Sequence, residues 1–560
     1  MTATDRFDAI VIGSGITGGW AAKELTEKGL KVLMLDRGPM VEHGVDYTYD
    51  GKPAFEIPAR NTMPPPLVES DYFIAKNGYP KPANLAFYNN DRLNPYAYED
   101  GDKFYWIRPG AFGGKSLIWG RWSFRWSETD FEANKREGVA IDWPIRTADI
   151  APWYSYVEKF VGVSGSHENL PYLPDSEFQP PIPMNVAEKW LKGRVESEFP
   201  GRKLISARVV NMTEDKPEQG RSKCQFRNQC DRGCSFGAYF STQSSTLPAA
   251  MATGRLTVKA DTIVTGLDYD PVKKRVTGVR VVNTRTGAAE TLTARIVFLC
   301  ASAMASVQLL MNSRTADGAN SHFNSSGTLG RYVMDHIFRV GISGEIPGMT
   351  EFIEFGRRPA AVYIPRFRNL NGNESLGFSR GYGYQGGASR SPAHPQGFGA
   401  SMKHGMRSYG PWYYGMGAFG ECLPYEDNHV SLHPDKRDRF GLPQIKFNVR
   451  FRDNEIKMMD DALAQGELML KQAGLKNIRS SRSEHVPGDA IHEMGGARMG
   501  NDPRESVLNK WSQAHDASNL FVSDGAQMVS ISCVNPSLTF MALTARAADH
   551  AVKQLKSGAI

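Results

Sequence analysis

A glycine-rich turn between a strand and a helix constrains this chain more than any other feature. Residues 13–18 read Gly-Ser-Gly-Ile-Thr-Gly. Residues 9–12 before them are apolar and largely β-branched, as in a strand buried on both faces, and residues 16–28 have the composition of a helix. Glycines at such a turn let the backbone bend tightly and approach a phosphate at the positive end of the helix. The turn therefore predicts dinucleotide binding.

The next strand ends at an acidic residue. Residues 31–35 form a second buried run that closes at Asp36. An acidic side chain roughly twenty positions after the first glycine can bind the hydroxyl groups of an adenosine ribose. The start of the chain is therefore predicted to be a parallel βαβ unit. The glycine pattern alone does not separate NAD from FAD.

Later segments repeat the strand-then-helix pattern. Residues 295–300 form a buried run that leads into a helical pattern, and residues 519–522 precede a long amphipathic helix over residues 537–556. Between them, residues 377–422 are dense in Gly, Tyr, Phe and Trp, and alternating stretches near residue 430 and over 444–450 indicate antiparallel strands. We expect an α/β Rossmann-type domain with an inserted α+β domain that contains an antiparallel sheet.

Composition excludes several classes of protein. A chain of 560 residues with 41% hydrophobic and 22% charged residues is predicted to be packed and divided into domains. The net charge of +6 is spread along the chain without basic runs, so we expect no nucleic-acid partner. The most apolar stretch, residues 296–311, is interrupted by polar side chains and falls short of the roughly 20 apolar residues of a membrane helix.

Several further motifs carry a family resemblance. Residues 492–500 read His-Glu-Met-Gly-Gly-Ala-Arg-Met-Gly, residues 533–539 read Cys-Val-Asn-Pro-Ser-Leu-Thr, and residues 327–336 end in Met-Asp-His. Together with residues 13–18 and the Gly-Gly-Lys-Ser run at 113–116, they make the chain resemble the glucose–methanol–choline (GMC) oxidoreductases. The resemblance is greatest to a bacterial branch that holds glucoside 3-dehydrogenases and the flavoprotein subunits of gluconate and fructose dehydrogenases.

The resemblance implies bound FAD and oxidation of an alcohol to a carbonyl, with the C3 hydroxyl of a glucoside favoured. His492 stands at the position of the family's base, and a neutral imidazole suits removal of a hydroxyl proton. Asn535 stands where relatives carry the His or Asn that holds the substrate oxygen. Each residue has a simpler interpretation. His492 could satisfy backbone groups at a turn, and Asn535 could cap a helix with Pro536 at its first position.

The resemblance also implies contacts to the cofactor. Relatives place the Asp of Asp524-Gly525 near the ribityl and pyrophosphate groups, and Val264, in a strand predicted over residues 256–264, matches a position that meets the adenine. Pyranose oxidases carry a histidine covalently bonded to flavin where this chain has Ile118, so we expect non-covalent FAD. The predicted cofactor-binding residues are Gly13, Gly15, Gly18, Asp36, Gly113, Gly114, Ser116, Val264, Asp524, Gly525 and Pro536.

The resemblance assigns the domains as discontinuous pieces. The FAD-binding domain is predicted over residues 1–45, 100–130, 220–335 and 486–560, and the substrate-binding domain over residues 46–99, 131–219 and 336–485. The aromatic stretch at 377–412 suits a sugar substrate, because flat rings stack on the C–H faces of pyranoses; a β-rich core has the same composition.

Three cysteines lie close together at Cys224, Cys230 and Cys234. Closely spaced thiolates can ligate an iron–sulfur cluster, and the spacing resembles that of dehydrogenase subunits of this branch that hold a three-iron, four-sulfur cluster. A zinc site would normally need a fourth ligand, and a disulfide between two of the three is a further alternative.

Partners and location follow from the same resemblance. Subunits of this branch pass electrons to a cytochrome c subunit and are exported with a small subunit that carries a twin-arginine signal. From the first residues of the sequence we expect no signal peptide, so both a periplasmic location by co-export and a cytoplasmic one are open. Oxygen as the electron acceptor, and a non-redox lyase on the same fold, are the alternative functions.

Overall fold

The computed structural model describes residues 7–315, 318, 320–353, 356, 358–370, 376–393, 397–482 and 486–560. The helices are α1 (Ile16–Glu27), α2 (Pro65–Ser70), α3 (Glu128–Glu137), α4 (Thr147–Val161), α5 (Val186–Glu198), α6 (Leu247–Ala252), α7 (Ala303–Asn312), α8 (Gly399–Gly405), α9 (Asp453–Gln472) and α10 (Ser537–Ser557). The strands are β1 (Phe7–Ile12), β2 (Val32–Leu35), β3 (Ala97–Tyr98), β4 (Val163–Ser164), β5 (Phe178–Gln179), β6 (Ile205–Ser206), β7 (Leu256–Lys259), β8 (Thr262–Asp270), β9 (Arg275–Asn283), β10 (Ala289–Leu292), β11 (Ala294–Leu299), β12 (Ile337–Ile346), β13 (Val362–Ile364), β14 (Tyr382–Pro392), β15 (Tyr409–Gly420), β16 (His429–Arg437), β17 (Pro443–Asn448), β18 (Lys476–Arg482) and β19 (Leu520–Val522).

A parallel sheet brings distant segments of the chain together. Its described strands run in the order β19-β11-β1-β2-β7, and every neighbouring pair is parallel. The strands β2 and β11 flank β1, and their side chains are mostly buried, as expected where helices cover both faces of a sheet. Because the carboxyl ends of parallel strands meet at one edge, the residues after β1, β2, β11 and β19 lie along that edge.

A second, antiparallel sheet has six described strands. Its order among the described strands is β18-β12-β15-β14-β13-β6, and α9 packs on β12 and β18. Along β15 the buried positions alternate, with Trp412, Tyr414, Met416 and Ala418 all on the packed face. The aromatic and glycine-rich stretch therefore contributes two long strands to this sheet.

One predicted strand is wrong. Residues 256–264 form two strands, because Asp261 has a left-handed backbone with φ 51° and its N–H donates to the Gly38 carbonyl at 3.0 Å. The first part, β7, completes the parallel sheet, whereas β8 starts a separate sheet with β9 and β10. Val264 lies in β8, just past this break.

The predicted fold class is confirmed: a parallel nucleotide-binding type of sheet and a separate antiparallel sheet are both present. The strands predicted near residue 430 and over 444–450 pair antiparallel as β16 and β17. In the part of the chain that the structure describes, no helix combines the length and the apolar character needed to cross a membrane. The domain boundaries stay predictions.

Candidate active site

A cavity of about 560 Å³ opens at the carboxyl edge of the parallel sheet. Its far wall comes from the antiparallel sheet, with Phe338 of β12, Gln385 of β14 and Phe419 of β15 among its lining residues. The lining also holds many of the residues predicted from sequence: Gly13, Gly15, Asp36, Gly114, Val264, His492, Asp524, Gly525, Asn535 and Pro536. The fold therefore gathers these residues from seven separate segments around one space.

The glycine turn has the geometry of a phosphate cradle. Gly13 has φ 98°, and a Cβ placed on Gly18 would stand 1.8 Å from the Gly13 carbonyl oxygen. Gly15 caps α1, and within the described residues no side chain bonds to the N–H groups of its first turn. Gly15 and the next two residues line the cavity. The unpaired N–H groups and the helix dipole together favour an anion such as a pyrophosphate at this point.

Asp36 is tied to the glycine turn. Its Oδ2 accepts hydrogen bonds from the Ser14 N–H at 3.0 Å and from the Ser14 hydroxyl, and its Oδ1 accepts from the Gly38 N–H at 2.8 Å. Burial raises the pKa of Asp36 above its ordinary value. The Ser14 oxygen also accepts from the Gly113 N–H at 2.7 Å, so Ser14 joins the turn, the acidic residue and the second glycine loop.

Three predicted residues lie behind the cavity wall: Gly18, Gly113 and Ser116. A Cβ on Gly113 would meet the Gln243 side chain at 1.9 Å. The buried Ser116 hydroxyl donates to the Gly113 carbonyl at 2.6 Å and accepts from the Thr242 N–H at 3.0 Å. These residues support the backbone of the residues that line the cavity. The motif alone does not separate such supporting residues from those that line the cavity.

His492 and Asn535 meet in the cavity. The His492 Nε2 lies 3.2 Å from the Asn535 Nδ2, and the Asn535 Oδ1 accepts from the Gln385 Nε2 at 2.6 Å. The alternative interpretation, in which Asn535 caps the final helix with Pro536 at its first position, is wrong: α10 begins at Ser537 and Pro536 is its N-cap residue. The Asn535 side chain is held by His492 and Gln385 instead, so it faces the cavity and not the helix.

A second histidine, His336, stands behind His492. The two Nδ1 atoms are 3.2 Å apart, and the His336 Nε2 lies 2.6 Å from the Ser532 carbonyl oxygen. Asp335 holds the backbone, because its carboxylate accepts from the His492 N–H at 3.0 Å. The sequence marked the run that ends at His336 without assigning it a role, and Gln385 gave no signal beyond a polar residue in an aromatic stretch.

Burial controls the charge of this group. It lowers the pKa of His336 to about 4 and the pKa of His492 well below its usual value, with His336 and Lys115 acting in the same direction on His492. Burial, followed by the charge of Glu493, raises the pKa of Asp335 to about 7. Lys115 forms an ion pair with Glu493 beside His492. Both imidazoles are therefore neutral at neutral pH.

We expect both imidazoles to stay neutral far into acid. A group whose pKa is lowered keeps its neutral form at every pH above that pKa, so at about pH 5, where an ordinary histidine is mostly protonated, His336 is mostly neutral, and His492 is protonated only well below the ordinary pKa of histidine. Nitrogen NMR of protein labelled in histidine checks this, with single variants at His336 and His492 assigning the two signals. Protonation of either ring near pH 6.5 would contradict the prediction.

The cysteines do not come together as a cluster site. Within the residues that the structure describes, no three His, Cys, Asp or Glu side chains are grouped in a way that could hold a metal ion, and Cys224, Cys230 and Cys234 are free thiols. The Cys224 sulfur accepts from the Phe226 N–H, and burial raises the pKa of Cys224 to about 11. The iron–sulfur prediction is therefore not supported, nor is the disulfide.

Comparison with known proteins agrees with this architecture. The chain is 28% identical to a 2-methyl-1,2-propanediol dehydrogenase from Mycolicibacterium austroafricanum over 98% of this chain and 96% of that protein. It is 27% identical to a fructose dehydrogenase large subunit from Gluconobacter japonicus, over 98% of both chains. The structure of a pyridoxine 4-oxidase from Mesorbium loti has the same fold, with a TM-score of 0.59 at 15% identity over 97% of this chain and 98% of that one.

Family models match both halves of the chain. The N-terminal GMC oxidoreductase model covers residues 7–338, more than half of the chain, and the C-terminal model covers residues 424–544. The first includes the glycine turn and His336, and the second includes His492 and Asn535. Motifs, fold and site thus agree, and the chain belongs to the GMC oxidoreductase family.

Proposed function

We propose that this protein oxidises a secondary hydroxyl of a sugar or glycoside to a ketone with FAD, and that the C3 hydroxyl of a glucoside is the preferred position. The observation that carries the proposal is the partly buried His492, whose pKa is lowered and which lies within hydrogen-bond distance of Asn535, in the same cavity as the glycine turn. A neutral imidazole in this place can take a hydroxyl proton, which a carbinol must lose as it becomes a carbonyl.

The cavity fits FAD. The unpaired N–H groups at the start of α1 suit the pyrophosphate, and Asp36 suits the adenosine ribose. Val264, which the resemblance assigns to the adenine, and Asp524, which it assigns to the ribityl and pyrophosphate groups, both line this cavity. Ile118 lines the cavity and offers no atom for covalent attachment, so we infer dissociable FAD. When bound, FAD supplies the acceptor for the hydride of the substrate.

Three residues of the chain, His492, Asn535 and Gln385, act on the proton and the oxygen of the substrate hydroxyl. The Nε2 of His492 takes the hydroxyl proton and keeps it as the carbonyl forms. The Nδ2 of Asn535 donates a hydrogen bond to the substrate oxygen, and Gln385 keeps the Asn535 amide in the required orientation by donating to its Oδ1. Asn535 is buried and His492 is partly buried, so this pair exposes little surface to water.

The walls near His492 favour a ring-shaped, polar substrate. Phe419 lies against His492, with 5.9 Å between ring centroids, and Phe338 lies 4.9 Å from Phe419. Both line the cavity, as do Trp119 and Trp122. Aromatic faces pack well against the C–H faces of sugars. The relative named for fructose acts on a sugar by its printed name, which supports a sugar substrate here, whereas the relative named for 2-methyl-1,2-propanediol acts on a smaller, acyclic diol.

The electrons must then leave for a separate acceptor. One relative is by name the large subunit of a fructose dehydrogenase, so we propose a partner subunit, with a cytochrome as the acceptor. A small subunit with an export signal would carry such a complex to the periplasm. Oxygen is the alternative acceptor for the same site.

Anaerobic mixing with substrates tests the proposed reaction. We expect a glucoside to bleach the oxidised flavin spectrum and to yield a keto sugar whose oxidised carbon is identified by NMR. Fructose, gluconate and a small diol serve as competing substrates in the same experiment. Reoxidation by cytochrome c or by oxygen then identifies the acceptor. If no alcohol or sugar bleaches the flavin, the proposed oxidation is wrong and a lyase is favoured.

A further inference from the structure

We propose that His336 is a positioning residue that fixes the tautomer of His492, so that the Nε2 lone pair of His492 faces the cavity. The inference rests on the proposed function, since it explains how His492 is kept ready as a base. An imidazole without a partner can exist in either of two neutral tautomers, and only one of them has a lone pair at Nε2. A residue that fixes the tautomer therefore adds to what the base alone provides.

The direction of the hydrogen bonds follows from the Ser532 carbonyl. A carbonyl oxygen only accepts, so the His336 Nε2, 2.6 Å away, must carry the proton. Because His336 is neutral, its Nδ1 then has a lone pair. The His492 Nδ1 lies 3.2 Å from the His336 Nδ1 and must donate to that lone pair. The remaining nitrogen of His492, Nε2, is therefore unprotonated.

The hydrogen bonds of Asn535 and Gln385 agree with an unprotonated Nε2 on His492. An unprotonated His492 Nε2 accepts from the Asn535 Nδ2, and this leaves the Asn535 Oδ1 to accept from the Gln385 Nε2. The reversed arrangement would turn the Asn535 oxygen toward a protonated Nε2 of His492. The two Nδ1 atoms of the histidines would then face each other at 3.2 Å with a lone pair on each, which is repulsive. The Ser532 carbonyl, which can only accept, therefore determines the direction of every hydrogen bond from His336 to Gln385.

The surroundings of His336 suit this role. Its side chain is 1% exposed, so water does not compete for its ring nitrogens. The two imidazole rings meet edge to face, with centroids 4.9 Å apart and an interplanar angle of 76°. Phe419 packs against both rings, at 6.2 Å from His336 and 5.9 Å from His492. The ring of His336 is thus held between an aromatic side chain and the Ser532 backbone.

Asp335, the residue before His336, fixes the backbone of the loop that carries His492. The Asp335 carboxylate accepts from the N–H groups of Gly488 at 2.7 Å, Ala490 at 3.3 Å and His492 at 3.0 Å. Asp335 therefore orders the loop that carries His492, and His336 orders its ring. Two consecutive residues immediately before β12 therefore control the position and the tautomer of His492 together.

Two substitutions at His336 separate acceptor chemistry from packing. In His336→Leu the acceptor for the His492 Nδ1 is lost, and we expect kcat to fall roughly 10²-fold with KM and FAD content nearly unchanged. In His336→Asn the amide oxygen can lie near the former Nδ1 position and accept from His492. We therefore expect kcat of His336→Asn to be at least about tenfold higher than kcat of His336→Leu. Equal activity of the Leu and Asn variants would overturn the proposal.

Nitrogen NMR gives a readout that does not depend on turnover. In FAD-loaded protein labelled in histidine, we expect His492 to carry its proton on Nδ1 and His336 on Nε2, and we expect His336→Leu to move the His492 proton partly to Nε2. If His336→Leu fails to fold, the wild-type spectrum and the Asn variant decide. A wild-type His492 protonated on Nε2 would overturn the assignment. If His492→Ala keeps its turnover while the wild-type spectrum is as expected, the base role fails and the tautomer assignment stands.

Discussion

His492→Ala is expected to fold and bind FAD but to lose turnover by about 10²–10⁴-fold, the contribution of a positioned general base. The reason is specific to this site. The Nε2 of His492 is the neutral ring nitrogen that reaches the cavity beside Asn535, and Lys115, the nearby cation, is paired with Glu493. Alanine removes the base while the loop stays anchored through the backbone N–H that Asp335 accepts. Steady-state kinetics and the flavin spectrum of the purified variant measure both effects.

A matched substitution controls for histidine content. His404 is exposed in α8, and His404→Ala is expected to keep the turnover of the wild-type protein. Unchanged flavin content in His492→Ala would show that the loss is chemical and not a failure to bind the cofactor. Turnover of His492→Ala within about tenfold of wild type would remove His492 from the mechanism.

Local patterns predicted the nucleotide-binding half of the fold well. The strand, glycine turn and helix at the start of the chain lie within a residue or two of their predicted bounds, because each is dictated by neighbours in sequence. The strand over residues 256–264 failed for the opposite reason. A single left-handed residue, Asp261, is held by a backbone contact to Gly38, and nothing in the composition of the strand reveals that contact.

The site was predicted only where a residue had a recognisable motif. The structure brings the two predicted catalytic residues, His492 and Asn535, together, and the alternative role of Asn535 as a helix cap is not seen because Gln385 and His492 contact its amide. His336 and Gln385 come from segments 156 and 150 positions from His492 and Asn535, respectively. Their roles depend on the topology of the antiparallel sheet, which places β12 and β14 against the cavity, and periodicity does not encode that placement.

Two glycines of the same turn are expected to respond in opposite ways to one added methyl group. A Cβ on Gly18 would lie 1.8 Å from the oxygen and 2.8 Å from the carbon of the Gly13 carbonyl, which are backbone atoms. We expect Gly18→Ala to destabilise the protein by more than about 3 kcal/mol, beyond the usual cost of overpacking, and to yield little folded protein. At Gly15, φ is −66° and the nearest atom to a new Cβ is 4.0 Å away, so Gly15→Ala is expected to fold normally.

Gly15→Ala is expected to fail at a different step, since Gly15 lies on the cavity wall where the start of α1 offers its N–H groups. A methyl group there occupies the space that a pyrophosphate needs, so FAD should bind at least about tenfold more weakly. Thermal unfolding of the apoprotein and titration with FAD separate the two effects. Gly193→Ala in α5, where a Cβ meets nothing within 4 Å, is the control and should bind FAD like the wild type. If Gly15→Ala binds FAD normally, the turn is not the phosphate site, and if Gly18→Ala is as stable as wild type, the close contact with Gly13 does not exist.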